Sequence, residues 1–191
     1  MAEFGAEIDA TLSGDGTIPK ERVLLWIDAA SDSDLPTLAK LYRLTGEGYY
    51  RIQPDLGMER TCALIQRYLL ECIRQNVTGD DEIESRFGAC MSLHLWLRHL
   101  AEIGCDAAVV TRVAEAVTKL FLESEKDVRN AIETGFLEHA LETAALRPYF
   151  EHWAADPRLQ EAWRECLKWG EAHPDYVWNL TQRKTAPTGK E

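Results

Sequence analysis

The chain has 191 residues, 46% of them hydrophobic and 28% charged, with six Trp, six Tyr and five Phe. This is the composition of a folded chain of one-domain size, and it excludes an intrinsically disordered one. Its 32 acidic and 21 basic residues leave a formal charge of −11, which repels phosphate backbones, argues against nucleic acid as a partner, and favours a basic protein partner by long-range attraction.

Residues 1–16, MAEFGAEIDATLSGDG, show no helical periodicity and hold Gly5, Gly14 and Gly16, so a flexible leader is expected. They lack the basic n-region and apolar run of a signal peptide. Thr17 then reads as a helix cap ahead of Pro19, and Val23, Leu24, Ile27 and Ala30 form a short stripe, which predicts a helix over 18–30. Ser33 is expected to cap a second helix, faced by Leu35, Leu38, Leu41 and Tyr42 and stopped at Gly46. Residues 46–57, GEGYYRIQPDLG, contain three Gly and one Pro and form the one strongly irregular interior segment.

A third helix over 58–76 follows from Cys62, Ile65, Leu69, Cys72 and Ile73 at helical spacing. A long fourth is expected over 80–103, with Phe87, Met91 and Leu95 on one line and Leu93, Trp96, Leu97 and Leu100 beside it; Gly104 ends it. Val109, Val110, Val113, Val117, Leu120 and Phe121 mark a fifth over 106–123, and Val128, Ile132, Phe136 and Leu137 a sixth over 124–145. Pro148 interrupts. Asp156-Pro157 opens a seventh, where Leu159, Ala162, Trp163, Cys166 and Leu167 repeat at three and four, and Pro174 ends it.

No segment alternates with period two. The reading is all-α: an irregular bundle of about seven helices in antiparallel hairpins, with degenerate HEAT-like repeats as an alternative arrangement. A single domain is expected over 17–178 and a disordered polar tail over 179–191. No apolar run reaches the ~18–20 residues of a membrane helix. Five cysteines (62, 72, 90, 105, 166), odd in number and without a CxxC, read as buried thiols of a reducing cytosol and place the protein in the cytoplasm.

Helical metal sites need HExxH, HxxxH or ExxH spacing, and none occurs; His94 and His99 are five apart, about 140° around a helix. No metal and no cofactor is therefore expected. Nor is there a G-x-S-x-G, a phosphate loop or a GxGxxG, so no catalytic residue is assigned and the chain reads as a binding protein sooner than an enzyme. The acidic run Asp80-Asp81-Glu82 with Glu84 reads as dipole-stabilising charge at a helix N-terminus. His94, with Arg98 and Glu102, reads as part of a solvated face.

Two groups of candidates remain. Tyr49, Tyr50 and Arg51 are residue types that concentrate in interface hot spots, and Trp153, Trp169 and Trp178 are further interface candidates from the aromatic-rich C-terminal region. Glu138, His139, Arg147 and Trp163 are candidates to line a pocket, because His titrates near neutrality and His139 lies on the apolar line of Ile132 and Phe136. The expected function is a cytosolic acidic protein–protein interaction module, an adaptor or an immunity- or inhibitor-type protein. The alternative is a small-molecule binder or enzyme with a pocket inside the bundle. Oligomeric state does not follow from the sequence.

Overall fold

A computed structural model describes residues 2–78, 80–176 and 179. The architecture is all-α, with nine α-helices and one two-residue strand pair among the described residues. In chain order they are α1 (Ala2–Leu12), β1 (Ile18–Pro19), α2 (Lys20–Ala29), α3 (Leu35–Glu47), β2 (Ile52–Gln53), α4 (Met58–Gln75), α5 (Arg86–Glu102), α6 (Ala107–Glu123), α7 (Lys126–Ile132), α8 (Glu138–Glu142) and α9 (Gln160–Ala172). The chain divides into two compact units, one ending at Ala89 and the other beginning at Cys90.

In the first unit the expected flexible leader is instead helix α1. Ile8 is fully buried and α1 packs on α3. Glu7 accepts hydrogen bonds from Arg22 and from Trp26 Nε1 (3.0 Å), and Lys40 pairs with Asp9. The Arg22 guanidinium and the Trp26 N–H hold the Glu7 carboxyl below the usual carboxylate range. These anchors lie 15 to 31 residues away, so nothing local in 1–16 announces them.

Thr17 does not cap α2. Ile18 pairs in parallel with Ile52, and α2 begins after Pro19 without a side-chain cap. Helix α3 is capped one residue later than expected, by Asp34, whose side chain accepts from Thr37 N–H at 3.2 Å. Leu35, Leu38 and Leu41 of α3 and Cys62, Leu64, Leu69 and Cys72 of α4 are all at most 3% exposed. Helix α5 is shorter than the expected 80–103. Asp80 Oδ1 accepts from Glu82 N–H and Tyr68 Oη from Glu84 N–H, so the acidic run is a turn ahead of the helix, and Ser85 Oγ takes the Gly88 N–H. Phe87, placed on the apolar line of that helix, is 53% exposed.

In the second unit α6 buries Val109, Val110, Val113, Val117 and Phe121 as their spacing predicts, after a cap in which Asp106 accepts from Ala108 N–H at 2.9 Å. The expected sixth helix is broken into α7 and α8 by a π turn, Glu133–Leu137. It ends at Glu142, because Thr143 is extended (φ −90°, ψ 107°). A 3₁₀ segment, Arg147–Ala154, precedes α9. Its Phe150 and Trp153 form an aromatic cluster with Phe136 and Phe121, with ring centroids 4.9 to 6.3 Å apart. Helix α9 lies directly on α8: a Cβ added at Gly170 would stand 2.5 Å from the Leu141 carbonyl carbon, so only glycine permits the approach.

Candidate functional site

Three constellations carry polar chemistry or exposed recognition groups. The first is the 3₁₀ turn Tyr49–Arg51 in the first unit, inside the Gly- and Pro-rich segment. Arg51 reaches back to the end of α1 and the segment after it. Its Nη2 donates to Thr11 O (2.7 Å), Nη1 to Leu12 O (3.3 Å) and Nε to Gly16 O (3.0 Å). A guanidinium has five donors in a fixed fork, which suits it to the carbonyls that a helix end leaves unpaired. The next residue, Ile52, is 2% exposed and paired with Ile18. The turn is thus pinned on one side by Arg51 and on the other by Ile52, and between them Tyr49 is half-buried while Tyr50 stands 78% exposed.

The second constellation is a buried polar cluster in the second unit. Arg98, 8% exposed, donates to Thr143 Oγ1 (3.2 Å), Asp175 Oδ1 (2.6 Å) and Glu102 Oε1 (2.8 Å). Glu142, 3% exposed, accepts from Trp169 Nε1 (3.3 Å) and bonds His139 Nδ1 at 2.8 Å. His173 stacks on Trp169, centroids 3.9 Å apart. His94, expected on a solvated face, is 1% exposed, with its ring 5.9 Å from that of His139. It shares the buried side of α5 with Cys90, Leu93, Leu97 and Arg98, because 90, 94 and 98 fall one turn apart. Burial, with help from His139 and Arg98, pushes the His94 pKa down to about 3.

The third centres on Thr118, which is 9% exposed. Its hydroxyl lies 2.8 Å from Ala114 O, takes the Trp153 Nε1–H at 2.7 Å and sits 3.0 Å from His152 Nε2. A hydroxyl has one proton to give. With that proton on Ala114 O, His152 is the donor and carries its hydrogen on Nε2. A surface hollow of about 500 Å³ opens here, lined by Thr118 and His152 with Glu115, Lys119, Leu122 and Glu123.

The interface candidates separate accordingly. Tyr50 is displayed and Arg51 is a tether. Trp153 is fully buried and bonded to Thr118, which corrects its reading as interface: its position between Phe121 and Phe150 could not be read from helical spacing, since it lies in a 3₁₀ segment. Trp169 is half-buried over Glu142 and His173. Trp178 lies outside the described residues, as does the expected disordered tail apart from Asn179.

Of the pocket candidates, Trp163 is 8% exposed, Arg147 Nε donates to Leu141 O at 2.7 Å, and His139 is bonded to Glu142. Burial raises the Glu138 carboxyl pKa. No hydrogen bond joins any two of these four among the described residues. Glu138 and His139 are adjacent in sequence, but the carboxylate that His139 uses is Glu142, one helical turn on. Thr118, Glu142 and Gly170 carry no mark in the sequence, and His94 reads there as part of a solvated face. The only signal for them was one-turn spacing from buried neighbours.

Among the described residues no group of three or more His, Cys, Asp or Glu side chains could hold a metal ion, and no helix is long and apolar enough to cross a membrane. No family model matches the chain, and neither a curated protein nor a solved structure matches it.

Proposed function

We propose that this is an acidic helical protein-binding module of adaptor or inhibitor type that uses Tyr50 as an anchor on a basic protein partner. The observation that carries the reading is the Tyr49–Arg51 turn. A tyrosine 78% exposed on a turn pinned by three Arg51 hydrogen bonds offers a large amphipathic contact whose backbone is already ordered. Pre-ordering lowers the entropy lost on binding, and aromatic anchors dominate interface energies. The charge of −11 supplies steering toward a basic partner and disfavours nucleic acid. All five cysteines are thiols, which fits a reducing cytoplasm.

The test is recovery of a partner from the protein's own cell lysate at low and moderate salt, followed by titration with Tyr50→Ala. The expected outcome is an affinity loss of at least about 2 kcal/mol, roughly 30-fold, with the variant's thermal midpoint unchanged. A partner bound equally by wild type and Tyr50→Ala removes Tyr50 from the interface. Failure to recover any partner across that salt range counts against the module itself.

A second reading, a small-molecule binder, is favoured by the hollow over Thr118 and His152, whose volume falls in the range of ligand sites. A fragment screen by NMR that shifts the His152 ring signals would support it.

A further inference from the structure

Neither ring nitrogen of His94 has a hydrogen-bond partner among the described residues, although the side chain is 1% exposed. Leaving a buried polar group unbonded costs about 1–3 kcal/mol, so such a group calls for an explanation.

We propose that His94 is an acid-operated latch on α9: neutral, it seals the junction of α5 and α8, and a proton on it releases the α8–α9 contact.

The charged and titratable groups of the second unit around it set the sign. On α5 itself Arg98 lies one turn on, fastened to Glu102. From α8 come His139 at 5.9 Å, the Glu142 carboxylate bonded to it, and Glu138, whose charge acts on His139. From α9 and the residues after it come Trp169, bonded to Glu142, His173, stacked on Trp169, and Asp175, bonded to Arg98. A proton on His94 therefore creates a cation beside a guanidinium, in a place where neither ring nitrogen finds an acceptor and where the Glu142 carboxylate is engaged by His139 and Trp169. Such a charge is tolerated only when the ring reaches water.

The fastenings of α9 run through the same few residues. Trp169 holds to Glu142, Arg98 ties Thr143 to Asp175, and Gly170 seats α9 against Leu141 and Glu142. Loosening α5 from α8 at His94 disturbs all of them at once.

The pH window follows from linkage. Histidine titrates near 6.5 when exposed, and His94 in place is held down to about 3. The stability contributed by neutral His94 is full above pH 6.5 and is lost progressively as pH falls toward 3. At pH 5 the population with His94 open to water rises about 30-fold relative to neutral pH. This goes beyond the partner reading and does not depend on it.

Hydrogen exchange of the whole chain at pH 7 and pH 5, corrected for intrinsic exchange rates, tests the latch. The expected result is a roughly 30-fold rise in opening for amides of 160–172, no comparable rise in α4, and loss of the rise in His94→Leu. Equal α9 protection at both pH values overturns the proposal. So does an acid increment shared equally by α4, or one that persists in His94→Leu. Should that variant not fold, NMR titration of the wild type decides. A His94 ring that stays neutral down to pH 5 in the closed state supports the latch, and one that titrates near 6.5 while α9 remains protected overturns it.

Discussion

Thr118 has one hydroxyl proton and three polar neighbours, Ala114 O, Trp153 Nε1 and His152 Nε2, so two of them must donate to it or share. Thr118→Val keeps the shape and removes the acceptor. The buried Trp153 N–H is then left without a bond, and the expected cost is about 1–3 kcal/mol in urea unfolding, larger than the net value of the hydrogen bond itself. Thr118→Ser, which keeps the hydroxyl, should lose less. Residues of this kind are where the sequence was least legible. Thr118 falls between Val117 and Lys119 with nothing to mark it, and its partners lie 34 and 35 residues on. His94 and Arg98 were misread for a related reason: their types suggest solvent, and what keeps Arg98 buried is Thr143, 45 residues away, and Asp175, 77 away.

Helices were far more readable, because a buried stripe repeats within one window. The stripes of α4, α6 and α9 stand largely where their spacing puts them, with Ile65, Leu120 and Leu167 only half-buried, and α7 with α8 falls within the expected sixth helix. What spacing cannot give is how closely two helices approach. Gly170 sits inside α9, where alanine in an exposed helix would gain about 1 kcal/mol in helix propensity. Here the added Cβ would meet the backbone of Leu141 at 2.5 and 2.6 Å and of Glu142 at 2.8 Å, and backbone cannot swing aside. Overpacking of this sort costs about 1–3 kcal/mol and outweighs the propensity gain. Gly170→Ala is therefore expected to lower the urea midpoint, and to raise hydrogen exchange in α8 and α9 before α6. The irregular elements were equally opaque: neither the π turn at Glu133–Leu137 nor the Ile18–Ile52 pairing has a periodic signature. The GEGYYR segment was legible as a recognition candidate only by residue type, and the structure divides that candidate into a displayed Tyr50 and an inward Arg51.

Over the whole chain, the cysteines are spread through both compact units. Cys62 and Cys72 belong to the first, Cys90 begins the second, and Cys166 sits on the buried face of α9 with its Sγ 3.7 Å from Glu133 O. Those four are buried and Cys105 is half-exposed. Burial pushes the Cys72 thiol up to about 11 and the Cys166 thiol higher still, so both are protonated and unreactive at neutral pH while closed. The chain thereby carries its own set of chemical clocks. In a pulse of alkylating reagent Cys105 is expected to react first, and each of the others only when the helix over it lifts. Read peptide by peptide, the lag of Cys166 relative to Cys62 and Cys72 would time the breathing of one unit against the other with no residue changed.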